Sequence, residues 1–346
     1  MSFKGWLSVI TFVLIAVILF FSRHELVYAW RLLERVNIWI LLLLIPAQLL
    51  DYLSVGKIIF SYLQRKGSLE KLPAAKVARI SLELNFVNHV LPSGGVSGFS
   101  YMNWRLGRLG VAPGRAAMSQ VVRYTMAAFA YVLLLMLAVI AVTIDGSINR
   151  WVILASSMLV SVMIGLILAI IYVVSSKRRM EKFALWSVRA INRFVYHITF
   201  GHKRRVVAVE AVNSAFMEMH NDFLELRRDR RALLQPLGWA LLYTIFDVSL
   251  FMVTFWALGD IFNPAPVLIA YGIATVAGFI VITPGGVGAY EALMVAFLAL
   301  AGIAQGEAIA GIVLTRVIVL VTTIGLGYVF YQRALGEAGD GGTPAV

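Results

Sequence analysis

Six segments of this chain are too long and too apolar for a water-soluble fold. A hydrocarbon core of about 30 Å is crossed by about 20 mostly apolar helical residues. The segments that meet or approach this length are Trp6–Phe21, Val36–Tyr62, Gln120–Ile144, Trp151–Val174, Leu237–Leu258 and Ala308–Phe330. Of the 346 residues, 60% are hydrophobic and 14% are charged, whereas soluble domains carry about 25% charged residues. The chain is therefore predicted to be an all-α polytopic membrane protein.

Two further apolar stretches are too short to span a bilayer. Ile80–Leu91 ends at the turn Pro92-Ser93-Gly94-Gly95, and the stretches Val267–Ile282 and Ala289–Ala304 are separated by a second glycine-rich turn. Half-length helices joined by such a turn are typical of re-entrant hairpins, which fold back inside the membrane. We expect hairpins at residues 80–104 and 267–304, and two full spans are the alternative for 267–304.

Basic residues predict the orientation, because cytoplasmic loops carry an excess of Lys and Arg. Segment 175–236 holds 13 Lys and Arg against 6 Asp and Glu, and segment 64–79 holds five more basic residues. Placing both in the cytoplasm also puts both termini there, and it inserts hairpin 80–104 from the cytoplasm and hairpin 267–304 from outside. Segment 21–35, which this orientation places outside, holds three arginines and so favours the opposite orientation. The larger basic segments outweigh it. We expect a multi-pass protein of the plasma (inner) membrane.

The two halves of the chain resemble each other. Gly94-Gly95-Val96 recurs as Gly285-Gly286-Val287, and segment 110–116 recurs as 302–308. An aspartate precedes each turn and an arginine follows it. The pattern predicts an inverted repeat of three transmembrane helices plus one re-entrant hairpin per half. The first repeat is 1–144, the second is 145–334 with a cytoplasmic helical loop at 175–236, and 335–346 is a disordered tail. With 28 glycines in the chain, chance recurrence is the alternative.

The two turns are candidate binding elements. A proline stops each incoming half-helix, so the outgoing half-helix begins near the midplane with free N–H groups and a partial positive charge. Two such ends facing each other would cradle an anion; the alternative is a pair of tight turns that only pack. The candidate tip residues are Pro92, Ser93, Gly94 and Gly95 in the first hairpin and Pro284, Gly285, Gly286 and Gly288 in the second.

Charged residues inside apolar helices mark candidate sites, because they are costly there and usually line a pathway or form an ion pair. Arg123 and Arg316 suit a phosphate, which arginine binds with forked hydrogen bonds. For Arg123 the alternative is extension to the cytoplasm. Asp51, Asp247 and Glu291 are candidates for proton coupling, and Glu291 also for holding the empty site. The alternative for all three is a structural ion pair.

Several chemistries are excluded. The chain has no cysteine and no paired-carboxylate, zinc or Walker signature, so we expect no cofactor and no metal. Gly95-Val96-Ser97-Gly98 fits a loose pattern of intramembrane serine proteases, but no histidine lies in a span after Ser97, and the nucleophile would lack a base. The chain is predicted not to be an enzyme. Its net charge of +12 indicates contact with anionic lipid and not with nucleic acid.

The loop 175–236 is too long for a simple connector. Its first part places apolar residues on one helical face, with most basic residues elsewhere, which is typical of a helix lying on anionic lipid. Its second part predicts a helix that packs on the first; a solvated helical pair is the alternative. The apolar face comprises Phe183, Trp186, Ala190, Phe194 and Ile198.

Three motifs together resemble a known family of membrane proteins. They are Thr283-Pro284-Gly285-Gly286-Val287-Gly288-Ala289-Tyr290-Glu291, Leu91-Pro92-Ser93-Gly94-Gly95 and the loop element Phe216…His220-Asn221-Asp222-Phe223. The family is the lysylphosphatidylglycerol synthase transmembrane region, also called flippase-like integral membrane proteins, and the resemblance covers nearly the whole chain. It implies a lipid-handling domain, which in two-part members moves an aminoacylated phospholipid between leaflets. Only a short Gly-rich tail follows Phe330, so we expect no synthetase half.

Together these features predict a flippase-like lipid translocase. It would move a phospholipid or lipid-linked headgroup between leaflets, with the headgroup phosphate held between the two Gly-Gly tips. The expected partners are membrane lipids, either anionic phospholipids or a polyprenyl-phosphate-linked substrate, and a separate lipid-modifying enzyme. Two alternatives stay open: a small-ion or metabolite transporter, and a non-transporting accessory subunit of a membrane glycosyltransferase or lipid-modifying enzyme.

Overall fold

The computed structural model describes residues 20, 23–91, 96–144, 150–198, 209–280 and 289–339. Regular structure in these ranges is helical throughout. A single helical turn, Ile38–Leu41, and a 3₁₀ turn, Arg230–Leu233, precede two of the longer helices. The longer helices are α1 (Arg23–Leu32), α2 (Leu44–Arg65), α3 (Ala74–Val90), α4 (Val96–Gly107), α5 (Pro113–Ile144), α6 (Arg150–Val174), α7 (Lys177–Ile198), α8 (Val209–Arg228), α9 (Leu234–Leu258), α10 (Pro264–Ile280), α11 (Ala289–Leu300) and α12 (Gln305–Gly339).

Five of the six predicted spans are confirmed as helices long and apolar enough to cross a membrane. They are Ile38–Arg65, Pro113–Ile140, Ile153–Val174, Arg230–Leu258 and Gln305–Gly336. The other predicted span, Trp6–Phe21, lies outside the described residues except for Phe20. Several helices begin before the predicted segments, because their first turns are polar and carry no hydropathy signal. The chain is thus a multi-pass α-helical membrane protein.

The two aspartate-bearing helices lie at the centre of the bundle. α2 packs along α9, and both contact α5. One buried cluster joins α2 to α3, α4, α5 and α8 through residues such as Ile59, Leu63 and Met102. A second cluster joins α5, α9, α10, α11 and α12 through residues such as Phe255 and Met294. These contacts place Asp51 and Asp247 inside the protein rather than at its lipid-facing surface.

The helices on either side of each glycine-rich turn pack against each other, α3 on α4 and α10 on α11. In the first pair, the backbone N–H of Gly98 donates to Asn88 Oδ1 at 3.0 Å, and any side chain at Gly98 would collide with Asn88. α3 also packs on α12, while α10 packs on α5. The turns themselves, 92–95 and 281–288, lie outside the described residues.

The segments 110–116 and 302–308 share their backbone conformation. Gly110 and Gly302 have φ of 83° and 92°, a left-handed conformation that glycine adopts without strain. Val111 N donates to Leu106 O at 3.1 Å, and Ile303 N donates to Leu298 O at 3.0 Å. Both bonds close the helix before the turn, as at other helix C-termini. The sequence similarity between the segments therefore corresponds to the same local structure.

Helices α7 and α8 form a pair at one end of the bundle, which we call the basic end because it also carries Lys66 and Arg115. α8 packs on α7 and on α5, so the predicted packing of the two loop helices is confirmed. On α7, Met180, Ala184 and Val188 are buried, whereas Phe183 and Trp186 are 41% and 63% exposed. Phe183, Trp186 and Ala190 of the predicted apolar face are therefore exposed. The side chains of Phe194 and Ile198 lie outside the described part of the chain, and contact of this face with lipid stays a prediction.

Candidate functional site

A polar cavity of about 180 Å³ lies between α2, α3, α9, α10, α11 and α12. It is bounded by both central helices, by arms of both hairpins and by the last span. Its polar lining residues are Asp51, Tyr52, Asn85, His89, Tyr243, Asp247, Tyr271, Thr275, Tyr290, Thr315 and Arg316, and its apolar ones are Leu250, Phe251 and Val319. A cavity inside a membrane protein on which charged and hydroxyl side chains converge is a candidate binding site.

The cavity lies near the middle of the spans. Asp51 is 13 residues from Ile38 and 14 from Arg65, which is about 20 Å from either end at about 1.5 Å per residue. Asp247 occupies a similar depth in the span Arg230–Leu258. Because α2 and α9 pack along each other, the two predicted coupling residues face the same cavity.

The two aspartates differ in their hydrogen bonding. The Tyr271 hydroxyl donates to Asp247 Oδ2. Asp51 is 5% exposed, and its buried Oδ1 has no hydrogen-bond partner among the described residues. An unpaired buried carboxyl oxygen is costly, so Asp51 is available to a ligand or a proton entering the cavity.

Arg316 faces the same cavity and forms an ion pair. Its Nε donates to Glu291 Oε1 at 2.8 Å, and its guanidinium lies over the Tyr290 ring, 4.4 Å from the centroid. Glu291 is in the first turn of α11, where a carboxylate is favoured by the helix dipole. The cavity therefore holds positive and negative charge together.

Arg123, the predicted counterpart of Arg316, lies elsewhere. It is 8% exposed and its guanidinium lies over the Tyr124 ring at 4.2 Å. It is not among the residues that line the cavity. The side chain is buried within the bundle. It does not extend to the protein surface, as the alternative from the sequence would require.

Helices α3 and α11, which flank the two glycine-rich turns, contribute to this cavity close to those turns. His89 is three residues before Pro92, and Tyr290 is two residues after Gly288. The predicted tip residues themselves, namely Pro92, Ser93, Gly94, Gly95, Pro284, Gly285, Gly286 and Gly288, lie outside the described residues, and their role stays a prediction. The flanking residues nonetheless bring the two hairpins to one place in the bundle.

The sequence analysis missed most of the cavity's hydroxyl groups. Tyrosine and threonine are common in spans, so single residues carried no signal. Pairs of polar residues four positions apart would have identified some of these residues, because that spacing puts two side chains on one helix face. Asn85 and His89 have this spacing, as do the pairs Tyr243–Asp247 and Tyr271–Thr275.

A second buried charge cluster joins the arms of the first hairpin. Glu83, which is fully buried, accepts from Arg79 Nε at 3.1 Å and from the Tyr101 hydroxyl at 2.8 Å. Arg105 Nε lies 3.2 Å from the same carboxylate. Tyr101 also packs against Tyr331 of α12, with ring centroids 5.8 Å apart. This cluster fixes the hairpin and its contact with the last span.

Comparison with known proteins gives two matches. A family model described as the lysylphosphatidylglycerol synthase TM region matches residues 6–327. A UPF0104 membrane protein of Methanothermobacter thermautotrophicus is 22% identical over 233 residues, which are 67% of this chain and 67% of that protein. The family match includes both hairpins and every residue that lines the cavity.

Proposed function

Because the chain belongs to the lysylphosphatidylglycerol synthase transmembrane-region family, we propose that it is a flippase-like lipid translocase. It moves a phospholipid or a lipid-linked headgroup from one leaflet to the other. The observation that carries this proposal is the mid-membrane cavity that both hairpins line, with Arg316 and two aspartates in its wall. The family supports a lipid-related function in the membrane; the transport step is our proposal.

The cavity suits a headgroup better than a whole lipid. A polar headgroup is the part of a lipid that hydrocarbon does not solvate, so it needs a polar site halfway across. A volume of about 180 Å³ accommodates a phosphate and a small polar group, while the acyl chains stay in the bilayer. Such a site lowers the free-energy barrier to headgroup transfer in the middle of the bilayer, where that barrier is highest.

Arg316 is the proposed phosphate ligand. Arginine binds phosphate with two parallel hydrogen bonds, and Glu291 neutralises Arg316 while the site is empty. An arriving phosphate displaces Glu291 from the guanidinium. The outgoing helices α4 and α11 add the partial positive charge of their N-termini, so the phosphate rests between the two Gly-Gly tips.

The packing of the helices supports an inverted repeat with two re-entrant hairpins. The contact of α3 with α12 has its counterpart in the contact of α10 with α5, and α2 and α9 meet at the proposed axis. Arg123 is then the equivalent of Arg316 in the other half. In the opposite conformation of the transporter, Arg123 lines the site and Arg316 leaves it.

The basic end is proposed to face the cytoplasm of a cell with an inner or plasma membrane. The loop helices, Lys66 and Arg115 lie there, as the excess of basic residues in cytoplasmic loops predicts. Both termini are then cytoplasmic. The transporter is proposed to act without enzymatic activity of its own, on lipids that a separate enzyme supplies or consumes.

Reconstitution tests this proposal. The purified chain is incorporated into liposomes with phosphatidylglycerol that carries a fluorophore on one acyl chain, and bleaching of the fluorophore by an impermeant reductant reports how much lipid reaches the outer leaflet. We expect faster exchange than in empty liposomes, lost in Arg316→Ala and kept in the control Arg333→Ala. Exchange at the rate of empty liposomes contradicts the proposal.

The same assay separates the alternatives. Exchange that appears only after a lipid-modifying enzyme is added favours an accessory subunit. Release of an encapsulated small anion without lipid exchange favours a metabolite or ion transporter.

A further inference from the structure

The cavity places two carboxyl groups from different helices in one buried space. Asp51 is on α2 and Asp247 is on α9, and both line the cavity. Asp247 accepts a hydrogen bond from Tyr271, whereas Asp51 Oδ1 has no partner among the described residues. The phosphate-binding role proposed for Arg316 uses neither aspartate.

We propose that Asp51 and Asp247 bind one exchangeable proton between them and that this proton drives lipid translocation. The inference rests on the proposed function, which it extends by naming the energy source. When the site is exposed to one side of the membrane the carboxyl pair takes up a proton from water. When it is exposed to the other side, the O–H bond breaks and the proton passes to water.

The charge balance of the cavity favours a proton. Two ionised carboxylates in one buried site repel each other, and a single shared proton removes that repulsion, as in other carboxyl pairs. Arg316 is one positive charge beside two aspartates, and its Nε is already bonded to Glu291 at 2.8 Å, so it does not neutralise both carboxylates. A headgroup phosphate that displaces Glu291 changes the charge of the cavity, so headgroup binding and protonation are energetically linked.

Other titratable and charged groups face this pair. His89 lines the cavity from α3, and its Nδ1 is 2.8 Å from Asn85 O. Arg316 faces it from α12, bonded to Glu291 of α11, and Arg123 is buried on α5, which packs on both central helices. The remaining groups are the phenols of Tyr52, Tyr243, Tyr271 and Tyr290. His89 is engaged through its Nδ1 with Asn85 O of its own helix, whereas the two aspartates are like charges that line one cavity, so a proton shared between them removes a repulsion.

A metal cation fits the site less well. No group of three or more His, Cys, Asp or Glu side chains that could hold a metal occurs within the described ranges. A hard cation takes about six oxygen ligands, and Arg316 in the same cavity repels it. A proton needs one carboxyl oxygen, which Asp51 supplies.

The test combines a proton gradient with the lipid assay. Liposomes carry the wild-type chain, phosphatidylglycerol labelled on one acyl chain and an internal pH dye, and potassium with valinomycin holds the membrane potential at zero. With a pH difference of one unit, we expect the steady-state ratio of labelled lipid between leaflets to shift by up to about tenfold per coupled proton. We also expect a proton flux whenever lipid is transferred. Protons that move in the same direction as the lipid indicate symport, and protons that move in the opposite direction indicate antiport.

The variants Asp51→Asn and Asp247→Asn keep the size of the side chain but cannot exchange a proton. We expect them to exchange lipid without a gradient, to lose the response to pH and to move no protons. Asp229→Asn is the matched control, since Asp229 is an exposed carboxylate at the basic end, and it keeps the wild-type response. If an aspartate variant does not fold, the proton flux of the wild-type chain decides alone.

Failure of this inference differs from failure of the proposed function. Wild-type lipid exchange that ignores the pH gradient, or that follows a sodium gradient instead, overturns proton coupling and leaves translocation standing. A gradient response that survives in the aspartate variants also overturns it. The absence of any lipid exchange in the wild-type chain overturns both.

Discussion

Glu291 and Arg316 form an ion pair of 2.8 Å beside a cavity that Arg316 lines. Glu291 is in the first turn of α11, and Arg316 is in the span that follows it. The pair therefore links α11 to the last span. A ligand that competes for Arg316 loosens this link, which gives the cavity a way to sense its occupant.

The substitution Glu291→Gln removes the charge that competes with a phosphate for Arg316. A hydrogen bond to a charged group contributes about 1.5–3 kcal/mol, so we expect anionic lipid to bind about tenfold more tightly. Titration of the detergent-solubilised protein with short-chain phosphatidylglycerol measures the affinity. Glu307→Gln is the control, because Glu307 is an exposed carboxylate in the first turn of α12. Unchanged affinity in Glu291→Gln argues against competition at Arg316.

Asp222 is the anchor of α8 at the basic end. It is 2% exposed, and it accepts from the Tyr62 hydroxyl at 2.5 Å and lies 3.3 Å from Arg115 Nε. Removing one partner of a buried ion pair costs about 3–5 kcal/mol, so Asp222→Ala is expected to lower the thermal unfolding midpoint clearly.

Thermal unfolding in detergent, followed by circular dichroism, tests the role of Asp222. Asp229→Asn, which affects a half-exposed pair with Arg65, should change stability by less than about 1 kcal/mol. Equal effects of the two substitutions would show that Asp222 does not anchor α8.

The left-handed turn at Gly302 predicts a difference between two nearby glycines. An added Cβ meets no atom within 4 Å at Gly302 or at Gly306, but only Gly302 has a positive φ, of 92°. Gly302→Ala should therefore cost about 1 kcal/mol, whereas Gly306→Ala should be neutral or slightly stabilising. The same unfolding assay compares them. A loss of stability in Gly306→Ala that matches that of Gly302→Ala would rule out the backbone conformation as the cause.

Docking of α8 should weaken in acid. Lys66 donates to Glu225 at 3.1 Å and holds the pKa of that carboxyl below its ordinary value of 4.5. A lowered pKa in the folded state means that the contribution to stability is present above pH 4.5 and is lost as the pH falls through the folded value. The stability difference between the wild-type chain and Glu225→Gln should shrink below pH 4.5. A difference that stays constant between pH 7 and pH 3 contradicts this.

The uncovered face of α7 predicts contact with lipid. Two residues separate the start of α7 from the span that ends at Val174, so its N-terminus lies close to the end of that span. The chain has no cysteine, and single spin labels at Trp186→Cys and at Arg178→Cys, an exposed position on another side of the helix, are therefore specific. We expect the label at 186 to be more accessible to oxygen than to a polar nickel reagent, and the label at 178 to show the reverse. Equal accessibility at both sites would indicate a solvated helix.

Five of the spans could be predicted from the sequence because they depend on hydrophobic length, whereas the re-entrant course of the two shorter helix pairs stays a prediction. Asp51 and Asp247 could be predicted as site residues because charge is rare and costly in a span. The partners of these residues could not, since Tyr271 meets Asp247 only through the packing of α10 on α9.

The unequal positions of the two arginines also needed the structure. Arg123 and Arg316 occupy equivalent places in the sequence pattern, yet Arg316 lines the cavity and Arg123 lies over Tyr124. In a single conformation, two similar halves can pack their equivalent arginines differently. The similarity between the halves therefore does not indicate which arginine lines the cavity.

Protection of one cavity residue by lipid tests the central claim most directly. Thr275→Cys places the single thiol of the chain in the cavity wall, and Ser175→Cys places it at the basic end as a control. Modification by a small thiol reagent is measured in nonionic detergent, with and without short-chain phosphatidylglycerol. We predict that the lipid slows modification of Thr275→Cys several-fold, a ratio that corresponds to about 1 kcal/mol. The rate of modification of Ser175→Cys should be the same with and without lipid. Equal rates with and without lipid at both positions would contradict a headgroup site in this cavity.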